Sequence, residues 1–283
     1  MAPAALRRKE SFAILDPGRR SVRPKDAMNN TLLVTLGLSL AVQAVFFVFA
    51  AGFRTDKVTD LSYSLTFILL ASFLLWQSGG AGAAPWALAT MVIAWGVRLA
   101  WYLVYRVLQT GRDARFDGIR ERFSSFAKFW FFQGVAVWAI MLPVTLWFAA
   151  PGRWSWMKTV GAAVWLAGLV IETIADLQKF RHKSRPGGGA SWIETGLWRY
   201  SRHPNYFGEL ACWWGVFVFV AGDLGWWIWL GLMGPVVITL VLLFATGIPQ
   251  LEQSAERKFG SQPGYQAYRR RTGLLVPWPP RRP

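Results

Sequence analysis

A stripe of charged residues ends the fifth apolar stretch of the chain. Its members, at successive intervals of four, three and four positions, are Glu172, Asp176, Lys179 and Lys183. A helix places all four on one face. Carboxylates within such a stretch can accept hydrogen bonds from a hydroxyl or an amide, and cations at its end can hold phosphate. A ladder of salt bridges along the helix is the alternative. Because a ladder has little reason to begin inside an apolar run, the stripe favours a ligand site.

A second polar segment, residues 196–209, follows a glycine-rich loop and reads Gly-Leu-Trp-Arg-Tyr-Ser-Arg-His-Pro-Asn-Tyr-Phe-Gly-Glu. Pro204 suits the first turn of a helix, with His203 just before it. The N terminus of a helix attracts anions, and Arg199 and Arg202 add fixed positive charge suited to phosphate. This segment therefore predicts an anion site.

The same segment also carries groups suited to a planar, polar ligand. Asn205 and Glu209 lie four positions apart, so a helix places them on one face, where they can bind an amide or a hydroxyl. Trp198, Tyr200 and Tyr206 can flank a ring. An ordinary basic loop at a membrane interface would explain the arginines, but not the polar residues at helical spacing.

Earlier apolar stretches hold a few further candidates. Arg98 lies in the middle of one, where a charge marks a functional candidate or a structural ion pair. Asp60 starts another, and Tyr63 shares its helical face. The single cysteine, Cys212, excludes an intramolecular disulfide and a cysteine cluster, and no metal site is expected. In the C-terminal tail, Glu252 begins a predicted short helix with a charged face.

Long uncharged runs must position these groups. The chain is 54% hydrophobic and 16% charged, whereas soluble domains carry about 25% charged residues. We therefore expect an all-α, polytopic integral membrane helix bundle of about seven transmembrane helices, with cytosolic C-terminal loops and a short tail helix. The expected spans are 29–52, 58–78, 84–108, 127–149, 157–178, 205–221 and 225–246.

The distribution of charge predicts the domain organisation and the orientation. Residues 1–27 are expected to form a basic tail, flexible or interfacial, and residues 28–283 a single membrane domain whose part from about 172 to 280 binds a cofactor. Most of the 31 Lys and Arg residues fall in the C-terminal tail, residues 247–283, and in the loops 53–57, 109–126 and 179–204. That side is therefore predicted to be cytoplasmic. The net charge of +16 then indicates membrane lipid partners and no nucleic acid.

Several of these motifs together resemble a bacterial family of uncharacterised membrane proteins in the steroid 5-alpha-reductase C-terminal superfamily. The resemblance covers roughly residues 58–280 and is carried by Asp176-Leu-Gln178, by the segment from Gly196 to Glu209, by Pro263-Gly-Tyr265 and by Pro277-Trp-Pro-Pro280. It implies an enzyme of the bacterial inner membrane that uses NADPH to reduce an enone, a carbon–carbon double bond conjugated to a carbonyl. The implied substrate is lipophilic, steroid-like or terpenoid.

The resemblance also implies the site residues. The expected cofactor-binding set, which includes the charged neighbours of the family positions, is Glu172, Asp176, Lys183, Arg199, Tyr200, Arg202, His203, Asn205, Glu209, Glu252 and Tyr268. Animal members pair a carboxylate on an early span with a tyrosine on a middle span as the proton donor. That tyrosine position is Trp95 here, so the expected catalytic residues are Asp60, Tyr63 and Tyr102.

Two other functional classes are compatible with the sequence. Arg202-His203-Pro204-x-Tyr206-x-Gly208 also resembles an element of the isoprenylcysteine carboxyl methyltransferases, which would place S-adenosylmethionine in the same pocket. A non-catalytic membrane protein is the third possibility. The sequence leaves the natural substrate and the oligomeric state open.

Overall fold

The computed structural model describes residues 24–53, 55, 58–110 and 122–280, of which residues 24, 25, 27, 60, 103–110 and 189 are described by their backbone alone. The described chain is 80% helix and contains no strand, which confirms the all-α class. Within these residues ten α-helices follow one another: α1 (Pro24–Gly52), α2 (Thr59–Gln77), α3 (Ala83–Thr110), α4 (Phe123–Ile140), α5 (Leu142–Ala149), α6 (Trp156–Lys183), α7 (Pro204–Ala221), α8 (Ile228–Leu240), α9 (Ile248–Phe259) and α10 (Pro263–Arg271).

Four segments of the described chain are helical, long and apolar enough to cross a bilayer: Met28–Gly52, Ala83–Tyr102, Trp156–Lys183 and Gly225–Phe259. Helices α4 and α5, bent by 52° at their junction, make a fifth if they count as one span. The seven expected spans are therefore not confirmed. The apolar part of α2 is shorter, and α7 begins with polar residues of the site.

Helix α1 begins at Pro24, and its membrane-compatible part, Met28–Gly52, agrees with the expected span 29–52. The expected span 127–149 is broken near Met141, because Pro143 lies at the start of α5 and cannot donate a hydrogen bond to the preceding turn.

Helices α6 and α7 pack backbone to backbone through paired glycines. Gly168 faces Gly208 and Gly161 faces Gly215, and both pairs are seven residues apart along antiparallel helices. A Cβ atom at Gly208 would lie 2.5 Å from the backbone nitrogen of Glu172, closer than two such atoms can approach. This contact holds the start of α7 against the end of α6, where the polar residues of the site lie.

A buried polar network joins α1, α2 and α4. The side-chain amide of Gln43 donates to the Thr66 hydroxyl at 2.8 Å and accepts from Gln133 Nε2 at 2.7 Å. Ser39 donates to the Gly134 carbonyl at 2.8 Å. Because such groups need partners once they are removed from water, the network fixes the rotation of these helices about their axes.

Short turns connect α2 to α3, α5 to α6 and α7 to α8 at the end of the bundle away from the polar residues of the site. The residues that flank these turns include six exposed tryptophans: Trp76, Trp86, Trp154, Trp156, Trp226 and Trp229. Tryptophan is enriched at membrane–water interfaces. Beneath this belt, buried Lys158 pairs with Asp223, and the Trp147 indole donates to the same carboxylate at 2.6 Å. These turns therefore form a closed, tryptophan-rich end.

Candidate functional site

An ion-paired cluster lies between α3 and α6. The Arg98 guanidinium binds the carboxylates of Glu172 and Asp176 through separate nitrogens, and its Nη2 also donates to the Glu172 carbonyl at 3.3 Å. The side chains are 15%, 3% and 7% exposed, respectively. The first half of the charged stripe thus pairs with an arginine on another helix.

The cluster forms one wall of a cavity of about 390 Å³, here called the acidic cavity. Three carboxylates line it, those of Glu172, Asp176 and Glu209, against the cations Arg98 and Lys179. Asn205 lies in the same wall, with its side-chain amide next to Asp176.

Among the described residues, three buried acceptor atoms in this wall have no hydrogen-bond partner: Glu172 Oε2, Asp176 Oδ1 and Asn205 Oδ1. Buried polar groups normally have partners, because an unmade hydrogen bond costs the full desolvation of the group. A ligand that presents N–H donors would satisfy all three.

The aromatic hydroxyls expected to be catalytic lie opposite this wall. Tyr63 from α2 and Tyr102 from α3 both line the acidic cavity, and the Arg98 guanidinium lies 5.7 Å from the centroid of the Tyr102 ring. The side chain of Asp60, the expected carboxylate partner, lies outside the described residues. Trp95 is 2% exposed and packs edge-on against Phe67 and Trp213.

A second cavity of about 380 Å³, here called the basic cavity, adjoins the first and shares Lys179, Leu251 and Ser254 with it. Its basic side chains are Lys179, His182, Lys183, Arg202, His203 and Lys258. Its aromatic side chains are Trp192, Trp198, Phe259, Tyr265 and Tyr268. Positive charge beside a cluster of aromatic rings suits a ligand with phosphate groups and a planar base.

The aromatic wall of the basic cavity is a compact ring cluster. The centroids of Trp192 and Tyr265 are 5.6 Å apart, and Phe259 lies 5.9 Å from Trp192. Lys179 lies over the Trp198 ring, with its Nζ 5.3 Å from the centroid. Lys179 thus lies where the basic and acidic cavities meet.

The C-terminal segment fixes the loop before α7. The Tyr268 hydroxyl donates to the Trp198 carbonyl at 2.9 Å, and Arg202 N donates to the Gly273 carbonyl at 2.8 Å. Burial raises the pKa of Tyr268, so its hydroxyl stays protonated and donates. Farther along, Trp278 N donates to the Tyr200 carbonyl at 3.1 Å. The tail therefore closes the basic cavity and positions α7.

Glu252 on α9 joins the tail to the start of α7. It pairs with Arg202, and its Oε1 lies 2.7 Å from His203 Nε2. Burial lowers the pKa of His203 below its ordinary value, which the hydrogen bond to Glu252 opposes and the nearby charges of Lys179 and Arg202 reinforce. Because a carboxylate only accepts hydrogen bonds, Nε2–H of His203 is the donor to Glu252.

This lowered pKa gives a pH-dependent stability. Below the ordinary pKa of about 6.5 the unfolded chain binds a proton that folded His203 resists, so stability falls as pH drops through that value. The expected slope is at most about 1.4 kcal/mol per pH unit. His203→Gln should flatten it between pH 7.5 and 5, measured by thermal unfolding. Parallel pH profiles for the two proteins would show that His203 does not contribute.

A third cavity of about 450 Å³, the apolar cavity, adjoins the acidic cavity on its other side. Its deep wall is formed by Phe67, Trp95, Val137, Ile140 and Ile238. The residues common to the two cavities are Tyr63, Glu209, Leu242, Thr246 and Gln250. A π-helical segment, Val241–Ala245, lies in this boundary. Such segments occur often at functional sites.

The structure brings most of the expected site residues together. Tyr63, Tyr102, Glu172, Asp176, Asn205 and Glu209 line the acidic cavity. Lys183, Arg202, His203, Glu252 and Tyr268 line the basic cavity. Arg199 and Tyr200 line none of the three cavities and are exposed at the surface. They lie in a short 3₁₀ turn that points its buried residue, Trp198, inward.

Several lining residues were not predicted. Trp192, Phe259 and Tyr265 follow no common helical spacing, so the sequence carries no signal for their cluster. Gln133 and Thr59 lie in apolar segments that read as ordinary spans. A polar residue within such a segment is the one signal that could have indicated them.

The fold and the three cavities define an all-helical protein with several helices able to span a membrane and a chain of adjoining cavities at one end of the bundle. The chain belongs to the family described as protein of unknown function (DUF1295), which matches residues 46–272. That range includes every cavity-lining residue named above. No curated protein and no solved structure matched the chain.

Proposed function

We propose that this protein is a membrane-embedded reductase that uses NADPH to reduce an enone in a lipophilic substrate. One observation carries the proposal: three unpartnered buried acceptors line a cavity that adjoins a basic, aromatic cavity on one side and an apolar cavity on the other. Each cavity has the size of a small-molecule pocket, about 300–1,000 Å³.

The residues present fit a dinucleotide. The basic cavity offers Lys183, Arg202 and Lys258 to phosphate groups and an aromatic wall to the base. The carboxamide of a nicotinamide ring has two N–H donors, which would be accepted by two of the three unpartnered oxygens of Asn205 and the two carboxylates. NADPH supplies the hydride when bound.

The chain's own residues would then polarise the substrate. Tyr63 lies in both the acidic and the apolar cavity, so its hydroxyl can reach a carbonyl oxygen of a substrate in the latter. Donation to that oxygen stabilises the negative charge that develops there when the β-carbon accepts a hydride. Tyr102 is the second candidate donor, and the expected role of Asp60 stays a prediction.

Membrane placement is part of the proposal. We place α2 and α7 across the bilayer with the other helices, which gives seven spans, and the cavity end in the cytoplasm of a bacterium, at the inner membrane. The excess of positive charge in the loops at that end supports this orientation. The relationship to the steroid 5-alpha-reductase C-terminal superfamily rests on the sequence motifs.

A methyltransferase is the second candidate, and the charge of the acidic cavity favours it. Three carboxylates face only two cations among its described lining residues. S-adenosylmethionine carries a sulfonium and an amino group, which such a cavity would attract. A non-catalytic membrane protein remains the third, and no ligand would then bind at Asn205.

Thermal unfolding of the purified full-length chain separates these candidates. NADPH at one hundred times its dissociation constant is expected to stabilise the protein by about 2.7 kcal/mol. Asn205→Ala should weaken that binding about three- to tenfold, because it removes one hydrogen bond. Arg199→Ala, at an exposed position outside the cavities, is the matched control and should bind normally. Stabilisation by S-adenosylmethionine alone would favour the methyltransferase, and stabilisation by neither would favour the non-catalytic class.

A further inference from the structure

One wall of the apolar cavity carries a hydroxyl with nothing to bind. Thr59, the first residue of α2, lines the cavity and is 1% exposed. Its Oγ1 is buried without a hydrogen-bond partner in the described structure. In the same cavity Thr59 lies beside the apolar side chains of Phe67 and Ile140.

A second polar group lines the same cavity from α4. Gln133 Nε2 donates to Gln43 Oε1 at 2.7 Å and to Ser62 Oγ at 2.9 Å, so both of its N–H groups are used. Its Oε1 has no donor among the described residues. The Ser62 hydroxyl in turn donates to the Thr59 carbonyl at 2.6 Å, which places Gln133 and Thr59 next to each other.

The pair offers one donor and one acceptor. The Thr59 hydroxyl can donate a hydrogen bond to a ligand oxygen, and Gln133 Oε1 can accept a hydrogen bond from the same ligand atom. Only a group that both donates and accepts uses the two together, and a hydroxyl does so with a single oxygen. A ketone would leave Gln133 unsatisfied, and a hydrocarbon would leave both.

We propose that Thr59 and Gln133 form a subsite for a hydroxyl group, so that the lipophilic ligand of the apolar cavity is an alcohol. This inference rests on the proposed function only in taking the substrate to be lipophilic. It adds that the substrate carries a hydroxyl group and that Thr59 and Gln133 select that group. The alcohol oxygen lies between Thr59 Oγ1 and Gln133 Oε1, and its hydrocarbon skeleton packs on Phe67, Trp95 and Ile140.

The test is competition photolabelling of the full-length chain in lipid nanodiscs, without nucleotide. The probe is a diazirine analogue of farnesol, a fifteen-carbon isoprenoid alcohol. Farnesol and the hydrocarbon that lacks its hydroxyl are the competitors, with concentrations corrected for partition into the bilayer. Labelling is read at Phe67 and Trp95, which are each 2% exposed and so report entry into the cavity rather than contact from the lipid.

We expect farnesol to compete better than the hydrocarbon in the wild type, and Thr59→Val to lower that preference about three- to tenfold. Because Thr59 Oγ1 has no hydrogen-bond partner in the described part of the chain, this variant should fold normally. Thr145→Val is the matched control, since Thr145 Oγ1 is also buried and unpartnered but lies in α5, outside the cavity. Thr145→Val should keep the full preference, and Gln133→Leu should lose it.

Equal competition by the two compounds in the wild type, or absence of label at Phe67 and Trp95, would overturn the subsite. So would a preference that Thr59→Val leaves intact. None of these outcomes depends on NADPH, so the subsite can fail while the nucleotide stabilises the protein, and it can stand if no nucleotide binds.

Discussion

Arg98→Met is expected to lower the free energy of unfolding by about 3–5 kcal/mol and to abolish ligand binding in the acidic cavity. The guanidinium holds two carboxylates, Glu172 and Asp176, that are almost fully buried. Its removal takes the direct ion-pair partner from both carboxylates, and breaking a buried ion pair from one side costs about this much. Methionine has a similar length, so little of the loss would come from packing.

Three measurements separate this cause from a general loss of structure. The destabilisation should shrink at low pH, because protonated carboxyl groups need no counter-charge. It should also shrink when Arg98→Met is combined with Glu172→Gln and Asp176→Asn. Arg122→Met, at an exposed arginine at the start of α4, is the matched control and should have little effect. A loss of stability that is independent of pH and not rescued by the two amides would contradict the ion-pair explanation.

Gly208→Ala is expected to destabilise the protein by about 1–3 kcal/mol, although alanine is the better helix former. A Cβ atom there would lie 2.5 Å from the Glu172 nitrogen and 2.6 Å from the Gly168 carbonyl oxygen, both fixed backbone atoms. Helices α6 and α7 must separate to admit it. Because Asn205 and Glu209 are on α7 and Asp176 on α6, the same change should weaken ligand binding.

Gly37→Ala is the control: it makes the same substitution, but its expected effect on stability is neutral or favourable. Gly37 lies on an exposed face of α1, and a Cβ atom there would meet nothing within 4 Å. Alanine should therefore leave stability unchanged or raise it by up to about 1 kcal/mol. Unfolding in mixed micelles gives both values. Equal effects at the two positions would show that the close contact of α6 and α7 contributes nothing.

The local spacing of polar residues predicted much of the candidate site. Glu172, Asp176 and Lys179 were expected on one helical face and do line one cavity, because an α-helix fixes the relation between positions four and seven apart. The same reasoning placed Asn205 beside Glu209. It says nothing of Arg199 and Tyr200, which line none of the cavities, because the direction of a side chain in or next to a 3₁₀ turn depends on what packs against that turn.

The pairing of Arg98 was left open for a related reason. Its partners lie 74 and 78 positions away on another helix. The spacing along one helix carries no information about which face of a distant helix it meets. The expected number of spans was not confirmed for a different reason. The helix break before Pro143 lies within a segment that is apolar throughout, so the composition of that segment does not reveal the break.

Composition and spacing alone determined that this chain is helical and apolar and that its polar groups gather in the last 110 or so residues, since both depend only on the residue types and the fixed geometry of the helix. Tertiary structure decided which polar groups became partners and which stayed unsatisfied. The unpartnered oxygens of Asn205 and Thr59 are visible only once neighbouring helices have packed, because a missing hydrogen bond is a property of the surroundings and not of the residue.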